Sequence, residues 1–215
     1  MPDLNFLIEG AEVAKFSATP QIVFKLRLSN RNPLETIQSV ALRGQIQLEV
    51  TRRRYKPEDQ EKLRDLFGEP DRWSQTLRNL LWTHVSVNVP AFHAETVVEV
   101  FVPCTFDFNV GATKYFFGLS DGDVHVCVMF SGTVFYSQDG GHMQVAPISW
   151  DKEAHFRFPV KVWRDMMDTY YPASAWICLR RDLFERLYDY KVRNGIPTWE
   201  KALESMLEAE EAIRS

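Results

Sequence analysis

The sequence has few of the features that cross-link, anchor or target a chain. Its 215 residues include only three cysteines, Cys104, Cys127 and Cys178, with no C-x-x-C pair among them. An odd number of widely spaced cysteines indicates reduced thiols rather than a disulfide framework. The chain lacks a cationic start followed by an apolar stretch, and no uncharged apolar run approaches the ~20 residues of a membrane span. We therefore expect a cytoplasmic protein with no signal peptide and no transmembrane helix.

Catalytic motifs are also scarce. The sequence contains no Gly-x-Ser-x-Gly elbow, and its glycines form no phosphate-cradling loop. Cys104, with His84 or His93 as its base, is a candidate nucleophile, but no adjacent Lys or Arg and no helix start activates its thiol. Asp121-Gly122-Asp123 resembles a fragment of a calcium loop, yet without the following ligands it predicts a hairpin turn. We expect neither a catalytic centre nor a cofactor.

Positive charge is concentrated in one place. The chain has a net charge of -4, which argues against general affinity for phosphate backbones. Its only dense basic run is Arg52-Arg53-Arg54, next to Tyr55 and Lys56. A basic run beside an aromatic ring can grip RNA or an acidic partner, and it can equally form the solubilising rim of a sheet. In an acidic chain we favour the rim, and we keep Arg52, Arg53 and Arg54 as candidate partner-binding residues.

Two-residue periodicity dominates the first half of the chain. Apolar side chains alternate with polar ones from Ile22 to Leu28, and again from Val40 to Val50. A helix would scatter these side chains around its axis, so both segments are predicted strands. Further strands are predicted at 85–89, 96–102, 114–118, 124–130, 133–136, 143–145 and 154–158. Because 124–130 is apolar at both parities, we expect it to be central, with helices covering the face that holds His125, Cys127 and Met129.

Helical spacing appears twice. Residues 57–81 predict a two-helix insert, and the segment after Val160 predicts about three helices, one of them capped by Thr198. The expected fold is therefore α+β and mainly β, an antiparallel β-sandwich with the insert at 57–81. We expect a single domain over residues 1–215, with the sandwich in 1–158 and the helical segment in 159–215.

One pair of residues has the chemistry of a metal site. His125 and Cys127 share a face of their predicted strand, and Cys104 is able to approach from a neighbouring strand. Imidazole and thiolate suit zinc or copper. Two ligands without a second pair make a weak pattern, and free cysteine is often buried as a small hydrophobe. We favour a core role for all three, so no metal is predicted.

Several short stretches form a recognisable set. They are Leu66–Pro70 with Arg72-Trp73, Pro103–Thr105, Lys114–Phe116, Phe130–Tyr136, Met167-Asp168 with Tyr170 and Pro172, and Gly195–Glu200. Spread over almost the whole chain, they resemble an uncharacterised bacterial family, a domain of unknown function. Such proteins are typically encoded in the gene clusters of actinobacterial-type, oxygen-tolerant nickel–iron (NiFe) hydrogenases. The resemblance thus implies an accessory, maturation or assembly role, and no catalytic residues, because the family has none established.

Two functions follow as expectations. The first is a non-enzymatic accessory protein that binds another protein, such as a hydrogenase subunit or maturation factor. The alternative is a small-molecule or metal-binding protein that uses a cavity between sheet and helices. An unrecognised hydrolase or redox enzyme ranks last, because catalysis usually needs perturbed acid–base pairs in a cleft.

The basic run gives the first test. We expect Arg52–Arg54 to confer no nucleic-acid binding, since the surrounding chain is acidic. A gel-shift titration with single-stranded RNA at low salt checks this. Binding that weakens steeply as salt is added, and that is lost when the three arginines become alanine, would contradict the expectation.

Overall fold

The computed structural model describes residues 2–32, 35–105, 110–138, 141–172, 177 and 179–214. Its strands are β1 Leu4–Val13, β2 Gln21–Asn30, β3 Glu35–Leu48, β4 Leu80–Val89, β5 Glu95–Pro103, β6 Asp123–Gln138, β7 Gln144–Pro147 and β8 Glu153–Pro159. Its α-helices are α1 Pro57–Lys62, α2 Arg64–Phe67, α3 Trp73–Thr76, α4 Val110–Gly118, α5 Val160–Tyr170, α6 Arg181–Arg193 and α7 Trp199–Arg214. Within these ranges no helix is long and apolar enough to cross a membrane.

The strands form two antiparallel sheets, so the predicted α+β class is confirmed. Sheet A has the order β1-β2-β5, and sheet B has the order β4-β3-β6, with β7 and β8 both paired to β6. Aromatic side chains fill the space between the sheets. Phe6 stacks on Phe130 with ring centroids 4.3 Å apart, and Phe24 meets Trp82 and Phe158 at 6.0 Å. The two sheets therefore face each other across a close-packed core, as a sandwich does.

Strand β6 is shared by three partners. One edge pairs with β3, while the other edge pairs with β8 over 123–129 and then with β7 over 133–136. Gly132 lies between the part of β6 that pairs with β8 and the part that pairs with β7. Its φ of +142° is a conformation that L side chains rarely adopt. A Cβ on Gly132 would lie 2.0 Å from the carbonyl oxygen of Ala41. Glycine is required here so that β3 can approach.

Two sequence predictions at helix–strand boundaries are wrong. Lys114–Gly118 is the end of α4 rather than a strand, because the adjacent Tyr115 and Phe116 are both fully buried. A strand would send them to opposite faces, whereas a helix keeps both on one broad face. The insert is helical only through Thr76, since Leu80 and Leu81 open β4, where they pair with the end of β3.

The prediction that β6 is central is confirmed, but the prediction that helices cover its second face is wrong. The strand is central to sheet B, and Val124, Val126 and Val128 face the core. On the opposite face Cys127 is buried, but His125 and Met129 are only half-buried. Exposed polar side chains of β8, Glu153 and His155, lie beside this outer face. The face is therefore partly polar and partly exposed rather than buried under helices.

The chain divides into two compact units, Met1–Pro172 and Ala173–Ser215. The first contains both sheets and α1 to α5. The second contains α6 and α7. Together with α5 of the first unit, they are the three helices that the described residues form from Val160 onward, as the sequence predicts. The backbone N–H of Lys201 donates to Thr198 Oγ1 at 3.2 Å, so the predicted cap is confirmed. That residues 1–215 form one domain stays a prediction.

The partner change at Gly132 gives the second test. Gly132→Ala should lower the free energy of unfolding by about 3 kcal/mol or more, because it combines a forbidden φ with a backbone clash. Gly111→Ala in α4 is the control, since a Cβ there meets nothing within 4 Å. The control should leave stability unchanged or raise it by up to about 1 kcal/mol. Urea denaturation followed by circular dichroism measures both, and equal midpoints for the two variants would refute the account of Gly132.

Candidate functional site

A cluster of three ligand-type side chains lies on the outer face of sheet B. In the β6–β8 ladder Cys127 is directly opposite His155, and Glu153 is two residues earlier on β8, opposite Met129. Residues two apart on a strand share a face, so all three side chains project to the same side. The thiol, one imidazole nitrogen and one carboxylate oxygen lie within 4.8 Å of one another. We call Cys127, Glu153 and His155 the Cys–Glu–His cluster.

Both ring nitrogens of His155 face carboxylates. Nε2 lies 3.1 Å from Glu153 Oε1, and Nδ1 lies 3.3 Å from Oε2 of Glu49, the residue that follows β3. The Cys127 thiol donates to Glu153 Oε2 at 3.8 Å. Glu49 is held in turn by Arg52, whose Nη1 donates to it at 2.8 Å. The cluster is thus part of a connected polar network that joins β8, β6 and the end of β3.

The Cys127 thiol is kept protonated by its surroundings. Burial, followed by the negative charges of Glu153 and Glu49, raises the pKa of Cys127 to about 11, and only Arg52 opposes them. Both effects disfavour the thiolate. At neutral pH this cysteine is therefore a poor nucleophile. A cation bound between the thiol and the carboxylate would reverse this balance, because it favours the deprotonated form of each ligand.

Of the three residues that the sequence analysis weighed as weak metal candidates, only Cys127 belongs to this cluster. His125 lies on the same face of β6 and is not one of the three ligands. Cys104 follows β5 in sheet A, where its thiol donates to the Val102 carbonyl at 3.4 Å and burial raises its pKa to about 12. The structure therefore does not bring Cys104 and Cys127 together. Cys178 lies outside the described residues.

The three arginines of the basic run have different surroundings. Arg53 donates to the carbonyls of Asp121 and Asp123 and forms an ion pair with Asp59, where the two side chains are 8% and 0% exposed. It therefore ties α1 to the turn before β6. Arg52 is paired with Glu49, and Arg54 is exposed. The side chain of Arg53 is engaged within the fold, and Arg52 and Arg54 are exposed. That the three arginines bind a partner stays an untested alternative to the solubilising rim.

A family-model comparison matches residues 1–215, the whole chain, to a family of unknown function (DUF6084). The chain belongs to this family. The resemblance drawn from the sequence is thereby confirmed at the family level. No curated protein matches the sequence.

Sequence reasoning missed Glu49, Glu153 and His155. One signal was present at the start of the predicted strand 154–158, because Glu153-x-His155 has the same i, i+2 spacing as His125-x-Cys127. Two strands that each carry two ligand types on one face form a site only when they are neighbours in the right register. That pairing is a tertiary property, and Glu49 joins through the pairing of β3 with β6.

Thiol reactivity gives the third test. Glu153→Gln should lower the pKa of Cys127, because it removes a neighbouring negative charge, and the thiolate fraction should rise. Alkylation of Cys127 by iodoacetamide at pH 9 should then be about threefold faster or more. Peptide mass spectrometry reads each cysteine separately, and Cys104 in the same sample is the internal control. An unchanged rate at Cys127 would show that Glu153 does not act on the thiol.

Proposed function

We propose that this protein is a non-enzymatic accessory protein that acts by binding another protein. We assign it to the cytoplasm, and its partner to the subunits or maturation factors of a NiFe hydrogenase. The choice of partner rests on the family resemblance given above. The choice of a binding role rests on the chain itself, and the observation that carries it is the surface of the second unit.

The α6–α7 hairpin leaves apolar side chains uncovered. On α6, Phe184, Tyr188 and Val192 follow one another at four-residue spacing, which aligns them in one stripe, and Val192 is 58% exposed. On α7, Leu207 is 62% exposed and Ile213 is 85% exposed. Of the described residues in this unit only Ala202 is buried. An uncovered apolar stripe on a helical hairpin is typical of a surface that packs against another protein.

The hairpin nevertheless has a defined internal structure. The Trp199 ring at the start of α7 lies 5.2 Å from Phe184 and 6.3 Å from Tyr188, measured between centroids. The Tyr190 hydroxyl lies 3.2 Å from Ser205 Oγ. These contacts fix the two helices against each other, so the exposed stripe is a preformed surface. Preformed surfaces lose less conformational entropy on binding.

The charges on α7 indicate what kind of partner fits. Its exposed acidic residues are Glu200, Glu204, Glu208, Glu210 and Glu211. Opposite charges at the rim of an interface steer association and favour the right partner. A partner with an apolar groove and a basic rim therefore fits the hairpin best.

A small-molecule binding role is the second candidate, because one concavity favours it. The end of β1, the β1–β2 loop and the end of α5 border a shallow, open concavity of about 510 Å³. The Tyr170 hydroxyl donates to the Ser17 carbonyl at 3.1 Å and holds the loop in place. The enclosed space between the sheets, at about 10 Å³, is too small for an organic ligand. A thermal-shift screen tests whether the concavity binds a ligand. A ligand at 100 times its dissociation constant raises the free energy of unfolding by about 2.7 kcal/mol.

Affinity purification from a hydrogenase-producing host gives the fourth test. The tagged wild-type chain should recover a hydrogenase subunit or maturation factor. Val192→Asp with Leu207→Asp should abolish recovery, because it places charges on the apolar stripe. Val97→Asp with Phe101→Asp, which places the same charges on exposed apolar side chains of β5 in the first unit, is the matched control and should retain full recovery. Recovery of no hydrogenase protein by the wild type, or equal recovery by the double variant, would contradict the proposal.

A further inference from the structure

We propose that the Cys–Glu–His cluster is a binding site for Zn²⁺. Its ligands are Cys127 Sγ, His155 Nε2 and the Glu153 carboxylate. The site lies in the first unit and uses no residue of the α6–α7 hairpin, so it does not depend on the proposed protein-binding role.

The ligand set suits zinc in both chemistry and spacing. Thiolate, imidazole and carboxylate are the three side-chain groups that bind Zn²⁺ in proteins. Zinc–ligand lengths of about 2.0–2.3 Å place neighbouring tetrahedral ligands about 3.5 Å apart. The Cys127 Sγ and Glu153 Oε2 atoms are 3.8 Å apart, and the imidazole nitrogen lies within the same 4.8 Å group. Only small side-chain rotations are needed to close the three ligands around one ion.

Glu49 provides an independent second observation. Metal-binding histidines usually donate their other ring N–H to a carboxylate, which fixes the tautomer and orients the ring. Glu49 Oε2 lies 3.3 Å from His155 Nδ1, and its side chain is only 13% exposed. Arg52 anchors this carboxylate from the other side. In the tautomer in which Nδ1–H donates to Glu49, Nε2 carries the ring lone pair, and an ion bound at Nε2 would replace its hydrogen bond to Glu153. Glu49 is therefore a positioning residue rather than a ligand.

Binding releases one proton. The Cys127 S–H bond breaks, the proton goes to solvent, and the sulfur lone pair forms the bond to Zn²⁺, with no change in oxidation state. The groups around the thiol are Glu153 and His155 from β8, Glu49 after β3, and Arg52 in the following turn.

The site differs from a structural zinc centre in its openness. Cys127 is buried, but the side chains of Glu153 and His155 are about half exposed. Three protein ligands leave one coordination position for water or for a group from outside. Structural centres are usually closed by four protein ligands. The open position makes this a site at which zinc can be exchanged or can bind an incoming ligand.

Metal titration of the full chain gives the fifth test. The chelator-treated wild type should take up one equivalent of Zn²⁺ at high affinity, measured by calorimetry with elemental analysis after gel filtration. Co²⁺ should give a thiolate-to-metal charge-transfer band in the near ultraviolet. Cys127→Ser should remove that band and weaken Zn²⁺ binding by about 100-fold or more, and His155→Ala should weaken it similarly. Glu49→Gln should weaken it by about 10- to 100-fold while keeping the band.

Two matched controls separate the site from nearby cysteine and histidine residues. His125→Ala, on the same face of β6, and Cys104→Ala, in sheet A, should bind Zn²⁺ as the wild type does. Circular dichroism checks that each variant folds. Glu153→Gln conserves the shape of a proposed ligand and should also weaken Zn²⁺ binding, so it keeps the test valid if one of the larger changes unfolds the chain. A wild type that takes up less than one equivalent would overturn the inference. So would Cys127→Ser and His155→Ala variants that bind as tightly as the wild type.

Discussion

The pairing of β6 with two successive partners on one edge is the constraint on which the rest of the structure depends. The first half of this strand pairs with β8 and the second half with β7, while β3 runs along the other edge. Gly132 makes the change possible, because only glycine admits the close approach of Ala41. The β6–β8 register then determines which side chains of the two strands lie opposite each other. A shift of one residue would turn His155 away from Cys127 and place it on the core face.

The strands were largely predictable because one face of each sheet is buried. The alternation that begins at Val40 predicts a strand, and β3 follows it to Leu48, whereas Val50 lies in the 3₁₀ turn after the strand. Lys114–Gly118 was not predictable by the same rule, since five residues with three large aromatics fit a short strand as well as the last turn of a helix. Leu80 has helical spacing from Trp73, yet it pairs with Leu48 in the sheet. In both cases tertiary packing overrides a short local pattern.

The candidate site was also only partly predictable from the sequence. Cys127 was found from sequence because it alternates with His125, but its actual neighbours come from β8 and from the end of β3. No local pattern says which strands are adjacent or in which register. Arg53 illustrates the converse, because it belongs to an exposed-looking basic run and is nevertheless buried against Asp59. Its role is to hold the turn that starts β6, and so to hold the strand that carries the cluster.

The proposed zinc site depends on the β6–β8 register, which brings Cys127 and His155 together. X-ray absorption at the zinc edge, on the chain loaded with one equivalent, identifies the ligand atoms. We expect one sulfur ligand at about 2.3 Å and nitrogen or oxygen ligands at about 2.0 Å, with an imidazole scattering pattern. A shell of oxygen ligands alone, with no sulfur, would contradict it.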